Sequence, residues 1–111
     1  MEEDICREIL AIHRASYGER AGRGEAHLVD DTVIVMHEGD DIALLPGEEL
    51  LIECGRGETV RRVRDTFQET IEPTFKAAVE RATGRRVVGF GSCTRVEEPR
   101  FSMEVFRLEP N

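Results

Sequence analysis

The sequence predicts an α+β fold, a two-layer sandwich in which helices cover a four-stranded, mostly antiparallel sheet. Three observations carry that reading. Residues Gly57–Gly84 form one long amphipathic stripe, in which Val60, Val63, Phe67, Ile71, Phe75, Ala78, Val79 and Ala82 recur at three- and four-residue steps. Pairs of strand-like segments flank that stripe on both sides, at residues 25–38 and 86–109. At 111 residues, 40% hydrophobic and 34% charged, the chain is long enough for one core and too short for two. Residues 1–111 are therefore read as a single domain.

Taken in order, residues 2–17 give the first helix, with Ile5, Cys6, Ile9, Leu10, Ile12 and His13 on a broad apolar face. Glu3 and Arg7 stand one turn apart and are placed to pair. Gly18 ends the helix, and residues 18–24, GERAGRG, make a glycine-rich connection. A phosphate-cradling loop needs a strand before it and a helix after it, the reverse of the order here, so this loop is not read as a nucleotide site.

Residues 25–29 and 32–38 then form a hairpin around Asp30-Asp31. In that register Val29 faces Thr32, His27 faces Ile34 and Glu25 faces Met36 on one side of the sheet, while Leu28–Val33 and Ala26–Val35 meet on the other. The second side is purely apolar and should receive the long helix. The first is mixed, which suits the N-terminal helix or a second subunit as its cover.

A short helix is expected from Pro46, a residue favoured in a first turn, and Gly55-Arg56-Gly57 hands over to the long one. Glu58 complements the positive end of the long helix's dipole and Gly84 supplies its stop. Pro73 lies inside the stripe, where it removes one backbone hydrogen bond and kinks the helix or splits it. Residues 86–93 read as the third strand, with Gly89 and Gly91 marking close approach by a neighbour. After a loop at 94–100, residues 101–109 form the last strand, whose apolar residues change face between Val105 and Phe106, as in a central or bulged strand. The order is α-β-β-α-α-β-β.

The formal net charge of −8 argues against nucleic acid and against anionic lipid as partners, since both require a basic surface. Of the 15 basic residues only Lys76 is lysine. No apolar run approaches the ~20 residues that span a bilayer, and MEEDICREIL is acidic where a secretory signal would be basic, so a cytoplasmic protein without membrane insertion is expected. Cys6, Cys54 and Cys93 are odd in number and widely spaced, as in reduced structural thiols.

Arg64 is the residue that stands out, because it falls on the apolar stripe between Val60 and Phe67. An arginine there either lays its methylenes over the core edge or is buried holding a carboxylate or an anion. Glu58 with Arg62 and Glu72 with Lys76 read as solvated helix pairs. His13, His27 and His37 have no zinc-motif spacing, and His27 beside Glu25 reads as a partly exposed strand histidine. No nucleophile motif is present, so neither an enzyme nor a bound metal or cofactor is expected.

The order and spacing of several short motifs give the chain a resemblance to a known family. They are Tyr17-Gly18, Gly22-Arg23-Gly24, the hairpin Ala26–Met36, Leu45 with Glu49, Arg64 with Phe67, Thr83-Gly84-Arg85, and Val105-Phe106-Arg107-Leu108. Together they resemble the MpsC-like family, which takes its name from a sodium-translocating, membrane-potential-generating system. Two positions depart from the family pattern: Glu25 stands where proline is usual, and Pro46 where threonine is usual. The resemblance implies a small protein working beside an antiporter-like membrane subunit and a large soluble one, and it transfers no catalytic residue. The expected function is a non-catalytic accessory subunit, expected as a homodimer, beside a cation- or bicarbonate-handling complex, with Phe67, Ile34 and Met36 as interface candidates alongside Arg64. The alternative is a small-ligand or anion-binding regulatory module, with Arg64, Arg23 and His27 lining its site.

Overall fold

The computed structural model describes residues 1–18 and 21–110; Glu19 and Arg20 of the glycine-rich connection lie outside the described residues, as does Asn111. The elements are α1 (Glu2–Tyr17), β1 (Glu25–Val29), β2 (Thr32–Glu38), a 3-10 turn (Gly39–Asp41), α2 (Pro46–Glu53), α3 (Gly57–Thr70), α4 (Glu72–Thr83), β3 (Val87–Arg95) and β4 (Phe101–Leu108). The four strands form one antiparallel sheet in the order β1-β2-β4-β3. This is the α+β arrangement and element order that the sequence predicts.

The first hairpin has the expected register, from Glu25 opposite Met36 to Val29 opposite Thr32. Asp30 takes the left-handed turn position at φ 55°, a conformation that aspartate tolerates through its short polar side chain. Pro73 splits the long helix rather than kinking it. Ile71 leaves helical geometry at φ −98°, ψ 12°, and Pro73 falls in the first turn of α4, where its missing N–H costs nothing.

The split explains why the stripe of α3 is narrower than its spacing suggests. Its buried residues are Gly57, Val60, Arg64 and Gln68, whereas Val63, expected to face inward, is 63% exposed. Two helices with separate axes need not share one continuous face. Phe75, Ala78 and Val79 of α4 do reach the core, where they meet Val33 and Val35 of β2 and Phe106 and Leu108 of β4.

Of the two covers that the sequence offers for the mixed side of the sheet, the N-terminal helix is not the one. Ile5 and Ile9 of α1 enter the same core cluster as Phe75 and Val79, so α1 lies beside α4 on the apolar side of the sheet and not on the mixed side. Burying both apolar stripes against one another and one sheet face removes the most apolar surface from water. The mixed side is left without cover from the described residues. Its cross-strand rows are His27–Ile34–Val105–Gly91 and Glu25–Met36–Met103–Cys93.

The second hairpin also differs in detail. β3 continues to Arg95, and the irregularity in pairing lies in β3, between Val87 and Gly89. β4 is central, which accounts for apolar residues on both its faces. A side chain at Gly89 would stand 3.3 Å from Cβ of Arg107, but one at Gly91 would meet nothing within 4 Å. No neighbour within the described chain therefore requires Gly91. At the N-terminus, Arg7 pairs with Asp4 at 2.6 Å in place of Glu3, an exposed contact of small energetic weight.

An aromatic run anchors the core, with Phe75 stacked on Phe90 at 5.9 Å between ring centres and Phe90 tilted against Phe106 at 5.1 Å. Phe75→Ala should lower unfolding free energy by about 3–5 kcal/mol, and Val63→Ala by less than about 0.5 kcal/mol. Urea denaturation of the two variants checks both values.

Candidate functional site

At one end of the sandwich the apolar core gives way to a buried polar pocket. α1 contributes His13 and Tyr17, α3 contributes Arg64 and Gln68, the segment after β2 contributes Asp41, Ile42 and Ala43, and the sheet contributes His37, Thr94 and Ser102. The space they leave is about 10 Å³, room for roughly one water molecule. The pocket exists because strand alternation puts His37 on the same side as Val33 and Val35, and Ser102 and Glu104 on the same side as Phe106 and Leu108.

Arg64 forms one wall. Its side chain is 6% exposed and holds Glu48 with two hydrogen bonds, Nε to Oε2 at 2.7 Å and Nη2 to Oε1 at 2.6 Å. Nη2 also donates to the carbonyl of Ala43 at 2.6 Å, and Cζ lies 3.9 Å over the ring of Tyr17. One guanidinium thus joins α3 to α2, to the segment before α2 and to α1. Glu48 in turn accepts the N–H of Leu45 at 2.8 Å at the start of α2. Burial pushes the Glu48 carboxyl up, but the hydrogen bonds from Arg64 and Leu45 and the arginine's charge outweigh it and hold the carboxyl below its ordinary 4.5.

Glu104 sits at the pocket's inner edge with no solvent exposure. Its Oε1 is 3.1 Å from Nε2 of His13 and 3.6 Å from Nε2 of His37, and its Oε2 accepts from Ser102 Oγ at 3.3 Å. Ser102 continues to Thr94 at 3.4 Å. The two imidazoles are stacked at a tilt, 4.4 Å between ring centres. Burial alone would raise the Glu104 carboxyl strongly; the hydrogen bond with His13 and the proximity of both imidazoles bring it down to about 2. Two buried polar atoms in this pocket, His37 Nε2 and Gln68 Oε1, have no hydrogen-bond partner among the described residues.

Gly24 helps to fix His37. A Cβ at Gly24 would stand 2.6 Å from Cε1 and 2.8 Å from Nδ1 of that ring, so only glycine lets the strand and the imidazole lie this close.

Of the residues that the sequence singled out, Arg64 is in the pocket, and Phe67 borders it through an edge-on contact with Tyr17 at 5.6 Å between ring centres. The others lie elsewhere. Arg23 and Met36 line an open groove with Gly24, Glu25, Glu38 and Asp41. His27 is exposed on the uncovered sheet face, 3.4 Å from Glu25, and shares that face with Ile34. Arg64, Arg23 and His27 therefore do not line one common site. The sequence reading missed the convergence of His13, His37 and Glu104, whose partners are as much as 91 residues apart. One signal was available: Glu104 alternates in phase with Phe106 and Leu108, which places a carboxylate on the core side of β4.

Removing Arg64 leaves Glu48 partly buried without its counter-charge. Arg64→Ala should cost about 3 kcal/mol, against less than about 1 kcal/mol for Arg61→Ala, whose partner Glu58 is exposed. The Glu48 pair also predicts a pH dependence. A carboxyl with a lowered folded-state pKa stabilises fully above its unfolded value and loses that contribution as pH falls through its folded value. Stability should therefore drop as pH falls below 4.5, and Glu48→Gln should make that drop shallower in chemical denaturation at stepped pH.

A family model described as "Na+-translocating membrane potential-generating system (MpsC)" matches residues 1–109 of the 111-residue chain. No curated protein and no solved structure matches it. The chain belongs to the MpsC family.

Proposed function

We propose that this MpsC-family member is a non-catalytic accessory subunit, working as a homodimer beside a cation- or bicarbonate-handling membrane complex. Family membership supports a component of a membrane-potential-generating system. No helix among the described residues is long and apolar enough to cross a membrane, so any association it has through its helices is peripheral.

The observation that carries the reading is the uncovered face of the sheet. Ile34, Met36, Met103 and Val105 form its centre, Val29 extends it at 57% exposure, and Gly91 leaves a bare patch beside Val105. An apolar, partly exposed sheet surface of this kind marks an interaction site. Its charges are divided by side, with Glu25 and Glu38 on β1 and β2 and with Arg95 and Arg107 on β3 and β4. A second copy related by a twofold axis along the strands would set the acidic half of one face over the basic half of the other. That arrangement favours a copy of the same chain as the occupant.

The dimer reading predicts twice the chain mass in light scattering. The double substitution Ile34→Glu with Val105→Glu should return one chain mass while circular dichroism stays folded. A wild-type chain that is strictly monomeric would overturn the dimer. For the accessory role, affinity capture from gently solubilised cells should recover an antiporter-like membrane chain; recovery of the tagged protein alone would overturn it.

A further inference from the structure

We infer that His13, His37 and Glu104 form a binding site for one first-row divalent cation, with zinc as the reference metal. The donor atoms of the three residues all lie within 4.8 Å of one another. A tetrahedral metal with bonds of about 2.0–2.1 Å to nitrogen and oxygen sets neighbouring donors roughly 3.3 Å apart. The carboxylate-to-imidazole distances of 3.1 and 3.6 Å bracket that spacing.

A plain hydrogen-bonded cluster accounts for less. His13 is within hydrogen-bond reach of Glu104, but at 3.6 Å His37 is not, and its Nε2 is left unpartnered on a side chain only 3% exposed. A buried polar atom without a partner is expensive to keep. The same nitrogen points toward the Glu104 oxygen that His13 also faces, so a cation between the three would satisfy all of them at once. It would also supply positive charge to a fully buried carboxylate whose ion-pair partners among the described residues are these two imidazoles.

The donor set indicates the metal class. Two imidazoles and a carboxylate suit zinc and its first-row neighbours, and no thiolate contributes, which disfavours copper(I). The Cys6 thiol donates instead to the carbonyl of Gly24 at 3.0 Å. Three protein ligands leave the fourth position to solvent, and the adjoining pocket of about 10 Å³ accommodates one water. Ser102 supports Glu104 from behind through its other oxygen, at 3.3 Å, the type of outer contact that orients a metal-binding carboxylate. Because the ligands come from α1, β2 and β4, the ion would pin the first helix to the sheet.

The test is metal titration of the full chain after chelator treatment and dialysis. One equivalent of Zn2+ should remain bound through gel filtration, and excess Zn2+ should raise the melting temperature. Co2+ should give visible bands of four-coordinate intensity without a thiolate charge-transfer band in the near ultraviolet. His37→Gln and His13→Gln should each weaken binding at least about tenfold, while exposed His27→Gln retains it. Glu104→Gln adds a third variant, read only where circular dichroism shows it folded. Sub-stoichiometric binding by the folded wild type would overturn the site, as would a thiolate band or undiminished binding in folded His37→Gln.

Discussion

The covered face of the sheet has to accommodate one fully buried carboxylate, that of Glu104. A charge in that position survives only if the surroundings supply donors and positive charge. α1 therefore has to lie where His13 can reach Glu104, β2 has to present His37, and Ser102 has to stand on the same side of β4. Gly24 extends the constraint to the chain entering β1, because any side chain there would displace the His37 ring. The position of the first helix is thus set at one end by apolar packing of Ile5 and Ile9 and at the other by polar contacts of His13 and Tyr17.

Arg64 performs the matching task for the second half of the helical layer. α2 has no buried residue of its own, so little apolar packing is available to place it. Its attachment comes instead from Glu48, which is held by both ends of the Arg64 fork, and from Arg64's bond to Ala43. Planar, bidentate geometry suits arginine for this role in a way lysine could not reproduce. The cation over Tyr17 then links this unit to α1 and, through α1, to the histidines around Glu104.

The two faces of the sheet divide the protein's tasks. The covered face carries the core and the polar pocket, and the pocket is too small for an organic ligand, which directs attention to ions and water. The uncovered face carries Ile34, Met36, Met103 and Val105 outward, where assembly offers the natural means of burying them. A membrane-associated role for an MpsC-family chain is compatible with both, since the two sites lie on opposite sides of one sheet and impose no conflicting demands on the same residues.

By itself the sequence determined the element order, the register of the first hairpin and an interruption at Pro73, with kink or split left open, because each depends on neighbours within a few residues: alternation, turn chemistry and a missing N–H. It also placed Arg64 on the apolar stripe of its helix, since helical spacing is a local property, but left open whether the guanidinium is buried or reaches water, which the fold decides in favour of burial. Only the tertiary structure decided that α1 joins α4 on one face, that Val63 turns outward, and that Gly91 has no neighbour within the described chain. The same holds for the meeting of His13, His37 and Glu104. Each lies on a different element, and whether their donors converge depends on helix placement and strand order, which periodicity along the chain does not encode.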